Sequence, residues 1–272
     1  MIKLVLTDLD GTFLNSKGDF DHEYYRKVRD LMKKENVFFA PCTVKQCERV
    51  EELFENDGFR NIWILGDSAT RIKHDGDYIY ESLLPNDVGA LIIKELEKIA
   101  SDHVIIACTP TAAMIQSTVP EEEAKKIRRS YAVVKTVETF QEIKEDFVKI
   151  TVYDPKLRCL ENVKKLDQFT DRAYMVASEA AWIDISNHGV HKGTTVQELQ
   201  KILGVTKEET MAFGDGLNDI ELMESAKYSF AMSNAFDQIK EVAAFVTKSN
   251  DENGVLKTIE SILEIQGKQK NG

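Results

Sequence analysis

Apolar residues fall in short unbroken runs separated by stretches with helical spacing. Leu4 to Leu6, Val37 to Ala40 and Ile62 to Leu65 are almost wholly apolar and predict buried strands. Between them, residues 24–34 place Val28, Leu31 and Met32 on one face, and 45–55 predict a second helix. Strands alternating with helices predict βαβ units, hence a parallel sheet with helices on both faces.

From about residue 78 the rhythm changes. Tyr78 to Tyr80 predicts a short strand, and a helix follows from Pro85 to about Ala100. Strands are expected at 104–108 and 113–115, joined by the turn Thr109-Pro110-Thr111. More strands are expected at 148–153, 174–176 and 182–185, with a helical stretch at 157–169. Such pairs predict an antiparallel α+β unit. The first rhythm then returns, with helices at 193–203, 219–225, 235–244 and 256–265. Strands at 210–213, 228–232 and 244–246 alternate with them, and 266–272 read as a polar tail. The fold class predicted is α/β. A Rossmann-like core of 1–83 and 187–272 would carry a large inserted α+β cap at 84–186.

Composition narrows the function classes. The chain has 272 residues, 43% of them hydrophobic, and a net charge of −11. That is enough for one large domain or two smaller ones. The acidic balance disfavours a general nucleic-acid or anionic-membrane surface. Cys42, Cys47, Cys108 and Cys159 form no C-x-x-C pair, so buried free thiols are expected rather than a zinc site. The N-terminal apolar run is short and meets Asp8 and Asp10, unlike a signal peptide. No window approaches the ~18–20 apolar residues of a membrane span. The expectation is a soluble cytoplasmic protein, monomeric or weakly homo-oligomeric.

The chemistry concentrates in four places. The first strand runs into Thr7-Asp8-Leu9-Asp10-Gly11-Thr12. Residues i and i+2 of a strand face the same way, so both aspartates would face one site, and one would stay protonated unless a cation lay between them. Gly11 allows a sharp turn and offers its N–H to an anion. An ordinary strand-to-turn junction is the alternative. Far downstream, Gly214-Asp215-Gly216-Leu217-Asn218-Asp219 lies between a strand and a helix, where open α/β sheets bind ligands. Its acids suit a hard cation better than a bare phosphate, although a capped turn would also use them. Lys192 precedes a helix start and would meet an anion at the sheet edge or be solvated. Thr43 follows a strand end and would donate to phosphate or cap a helix.

Together these residues resemble the four motifs of haloacid dehalogenase-type (HAD) phosphatases, and more narrowly the Cof-type subfamily. The resemblance covers nearly the whole chain, including Phe230 to Ala235 and Ser249 to Val255. It implies a phosphatase acting on sugar phosphates or similar small metabolites through an aspartyl-phosphate. Asp8 would be the nucleophile and Asp10 the general acid, then base. Mg²⁺ would be held by Asp8, Asp215 and the Asp10 main-chain carbonyl, with Asp219 in support. Thr43, Lys192, Asn218 and the N–H groups of Leu9 and Gly11 would hold the phosphate. Two departures bear on specificity. Thr43-Val44-Lys45 replaces the family's usual Thr/Ser-Gly-Arg, and Ser68-Ala69-Thr70 its Asn-Gly-Ala. His191, where a small polar residue is common, would be an exposed loop histidine. A phosphomannomutase-like phosphotransferase and a non-catalytic sugar-phosphate sensor are the rival readings.

Overall fold

The computed structural model describes residues 1–270. Five strands make one parallel sheet in the order Phe245–Val246, Tyr228–Ala231, Thr210–Gly214, Leu4–Thr7, Phe38–Pro41. The two central strands are fully buried, which is why their sequences are runs rather than alternations. Leu4 pairs with Thr210 on one side and Phe38 on the other, so the two ends of the chain meet in adjacent strands. The helix His22–Glu35 is stopped cleanly at both ends. Asp21 accepts the Tyr24 N–H at its start, and Asn36 takes a left-handed conformation at its end.

The third expected strand is present and also enters a second sheet that was not expected. Trp63–Gly66 forms an antiparallel sheet with Arg71–His74 and Asp77–Glu81. It also lies beside Phe38–Pro41, joined by the parallel bridges Phe39 to Ile62 and Cys42 to Leu65. The strand Arg71–His74 was not expected, because two of its four positions carry the buried cations Arg71 and Lys73. Lys73 is held by Glu48 and Glu51 at 2.9 and 2.8 Å, which makes its burial tolerable.

Between Leu84 and Asn187 the chain builds a six-stranded sheet. Its order is Ala173–Glu179, Trp182–Asn187, Lys149–Tyr153, Val104–Cys108, Ala113–Gln116, Val134–Val137. Only the last pair is parallel. The helix Glu121–Ser130 and the strand Val134–Val137 were also not expected from sequence. That helix buries only Ala124 and Ile127 and is otherwise charged. Apolar residues of 2–72 and 196–263 pack into one cluster, while those of 84–185 pack into two others.

The expected polar tail is largely helical. The closing helix runs Gly254–Lys270, and buried Gln266 bonds the main chain of Ile2 at both ends of its amide. Asn271 and Gly272 lie outside the described residues. No helix among the described residues is long and apolar enough to cross a membrane. All four cysteines are free and buried.

Five aromatic rings support the loop that follows Asp8. Phe13, on that loop, packs 5.7 Å from Phe54, which also lies 5.0 Å from Phe20 and 5.2 Å from Tyr25. Phe54→Ala opens a cavity under this loop and is expected to cost about 3 to 5 kcal/mol. Urea unfolding measures the loss, and a change below about 1 kcal/mol would contradict this packing role.

Candidate active site

The site forms where three adjacent parallel strands end, at Thr7, Gly214 and Pro41. Strand ends of open parallel sheets leave such a crevice for a ligand. The first strand stops at Thr7, so Asp8 and Asp10 lie on the turn beyond it. Both side chains still line one cavity, as expected, although from a turn and in different surroundings. Asp8 is buried, whereas Asp10 is exposed and pairs with Lys45 at 2.8 Å.

Lys192 opens the helix Lys192–Leu203 and is 3% exposed. Its Nζ donates to Asp8 Oδ1 and Asp219 Oδ1, each at 2.6 Å. Burial alone would lower the ammonium pKa, but Asp219 and Asp8 hold it well above its ordinary value. Burial pushes Asp8 well up; Lys192 opposes this, and Asp219 and Asp215 add to it. Asp215 rises to about 6, through burial first, against the hydrogen bond from Thr12 and with Asp219 adding repulsion. One ammonium thus serves three carboxylates, and the site is short of positive charge.

Oxygens of Asp8, Asp215 and Asp219 all lie within 4.8 Å of one another. A close set of carboxylate oxygens with a deficit of positive charge fits a hard divalent cation. Asp219 is already well occupied. Its Oδ2 accepts the N–H groups of Asp215 and Gly216 at 3.0 Å, and its Oδ1 accepts Lys192. It fastens its own loop to the helix that bears Lys192.

Gly11 has φ +75°, and a Cβ there would lie 2.4 Å from Asp215 Oδ2. The turn can approach Asp215 only because the side chain is missing. Thr12 Oγ1 then donates to Asp215 Oδ1 at 2.7 Å, and Asn234 Nδ2 to the Gly11 carbonyl at 2.8 Å. Leu9 buries its side chain and accepts the Leu14 N–H at 2.8 Å.

Thr43 is fully buried, and its hydroxyl accepts the Lys45 N–H at 3.2 Å. It caps no helix, since the next one begins at Cys47. His191 is half-buried rather than an exposed loop residue: it sits at the helix start with its ring 5.3 Å from Tyr174. Asn218 lines the cavity beside Asp215.

That cavity has a volume of about 540 Å³. Asp8, Asp10, Lys45 and Asp215 lie on one side, and Tyr131, Lys149, Thr151, Glu179, Trp182 and Asp184 on the other. Lys149 Nζ reaches the Val44 carbonyl at 2.6 Å and Ser68 Oγ at 3.2 Å. Ser68 in turn donates to Asp184 at 3.0 Å. Ser68 sits in a run of left-handed residues, Asp67, Ser68 and Ala69, with φ near +60°. Sequence reading assigned no role to Thr12, Lys149, Glu179 or Asp184. The available signal was alternation: Lys149 and Thr151 share one face of an otherwise apolar strand, as do Asp184 and Ser186.

The chain belongs to the haloacid dehalogenase-like hydrolases, whose family model matches residues 5–259. It is 26% identical over 265 residues to the 5-amino-6-(5-phospho-D-ribitylamino)uracil phosphatase YbjI of Escherichia coli (strain K12), with 97% of each chain covered. It is 26% identical over 277 residues to the putative phosphatase YxeH of Bacillus subtilis (strain 168), covering 97% of this chain and 99% of that one. The solved structure of SMU.1108c from Streptococcus mutans UA159 superimposes with a TM-score of 0.92 at 31% identity, covering 97% of this chain and all of that one, 100%.

Lys192→Met removes the shared ammonium and leaves the carboxylates facing each other. The expected destabilisation is about 3 to 5 kcal/mol at pH 8. It should shrink at pH 5. An Asp8 pKa raised by folding means the folded state binds the extra proton, so stability falls as pH rises through that range. Urea unfolding at the two pH values decides, and equal losses would contradict this charge account.

Proposed function

We propose that this chain is a Mg²⁺-assisted phosphatase that hydrolyses small phosphomonoesters through an aspartyl-phosphate on Asp8. The observation that carries the reading is the buried carboxylate group short of positive charge, joined by Lys192 and open to the cavity. Membership in the family and the phosphatase names of the relatives support it.

Asp8 and Asp215, with the Asp10 main-chain carbonyl, would hold the cation, and Asp219 would support it through water. Bound there, Mg²⁺ supplies charge neutralisation to the nucleophile and the phosphate. Lys192 engages Oδ1 of Asp8, which leaves Oδ2 to attack phosphorus in line. The Asp8 O–P bond forms as the bond to the leaving oxygen breaks. Asp10 gives its proton to that oxygen, then takes one from the water that attacks the phosphoryl group. Orthophosphate leaves, and Asp8 is free again. Lys192, Thr43, Asn218 and the N–H groups of Leu9 and Gly11 would hold the non-bridging oxygens.

In this reading 1–83 and 187–272 form the catalytic core, and 84–186 a cap that closes over the site and meets the leaving group. The partner is a small phosphorylated metabolite, not nucleic acid. A cytoplasmic location accords with four free buried thiols.

Asp8→Asn is expected to lower p-nitrophenyl phosphate turnover by about a thousandfold or more while the circular dichroism spectrum is retained. Chelation by EDTA should remove wild-type activity, and added Mg²⁺ should restore it. Wild-type rates from the folded Asp8→Asn protein would reject the nucleophile assignment.

A further inference from the structure

The cavity wall facing Asp10 carries a charge pattern that hydrolysis itself does not use. Glu179 ends its strand and stands in register with Trp182 across the hairpin. Both line the cavity, together with Asp184 and Tyr131. The charges acting on Glu179 are the carboxylates of Asp10 and Asp184, and no cation acts on it among the described residues. Glu179 is exposed to the cavity, and partial desolvation of its carboxyl, then these two neighbours, push it up.

Neither lysine that lines the same cavity acts on Glu179. Lys45 pairs with Asp10, and Lys149 donates to the Val44 carbonyl and Ser68. Asp184 also takes hydrogen bonds from Ser68 and Thr151, at 3.0 and 3.3 Å. The close-set carboxylates that suit a metal are Asp8, Asp215 and Asp219, and Glu179 is not one of them. Glu179 therefore faces the space where the leaving group would lie. A second anion beside Glu179 would meet a carboxylate with no cation of its own, whereas a donor-rich or cationic group would find a partner in it. The rings of Trp182 and Tyr131 offer apolar faces to a carbon skeleton beside those acids.

Resting on the phosphatase reading above, we propose that Glu179 is a specificity-determining residue. It selects phosphomonoesters whose leaving group carries hydrogen-bond donors, a protonated amine best of all, and refuses those bearing a second anionic group.

Three hexose derivatives of one size test the idea: glucosamine 6-phosphate, glucose 6-phosphate and 6-phosphogluconate. Their kcat/KM values are measured at neutral pH with Mg²⁺, with p-nitrophenyl phosphate as reference. Where one is not turned over, its Ki against p-nitrophenyl phosphate is read instead. The expected order is amine, neutral, carboxylate, with a total spread of about tenfold or more. Glu179→Gln should compress that spread by about threefold or more, and Glu179→Asp should keep the order. Equal or better use of 6-phosphogluconate overturns the proposal, as does a spread that Glu179→Gln leaves unchanged. Either result alongside normal p-nitrophenyl phosphate turnover defeats this inference alone. Failure of the wild type to hydrolyse p-nitrophenyl phosphate defeats the phosphatase reading and this inference with it.

Discussion

A single ammonium held between Asp8 and Asp219 joins the parts of this molecule. Lys192 lies 184 residues from Asp8 and 27 from Asp219, and it follows the whole inserted segment. A lysine so buried keeps its charge only while both carboxylates are close. The pair therefore forms only when the chain has returned from the six-stranded sheet and the last strands have joined the first. Folding of the parallel sheet and assembly of the site are one event seen from two sides.

The same arrangement explains the electrostatic imbalance. Lys192 satisfies part of the negative charge, and main-chain N–H groups satisfy Asp219 Oδ2. Among the described residues Asp215 takes a side-chain hydrogen bond from the hydroxyl of Thr12, and it is the acid pushed to about 6. The acids are thus unequal by construction. Asp219 is a fastening, while Asp8 and Asp215 are the groups still short of positive charge.

Uniformly apolar strands made the parallel sheet legible, since both faces of Leu4–Thr7 and Thr210–Gly214 are covered. The strand Arg71–His74 was hidden because its buried cations find acids on another element, which no local pattern shows. The helix Glu121–Ser130 was hidden because two small contacts hold it and charges cover the rest. At the site, closely spaced acids were visible as motifs. Pairings across long separations, Lys45 with Asp10 and Lys149 with Val44, depend on how the sheets meet, and spacing along the chain carries no trace of them. His191 was misread for the same reason: its ring is covered by Tyr174, which belongs to the six-stranded sheet.

Where the two sheets meet, several side chains address main chain. Arg49 donates to the Tyr131 carbonyl, the Ala132 N–H donates to Gln46, and Lys149 donates to the Val44 carbonyl. In each pair one partner is a peptide group, present whatever residue stands there. The residues at 44, 131 and 132 can therefore be exchanged without erasing the bonds that seat the segment. Such a joint tolerates a relined cavity: what the pocket accepts can change while the seam between its two walls keeps the same bonds.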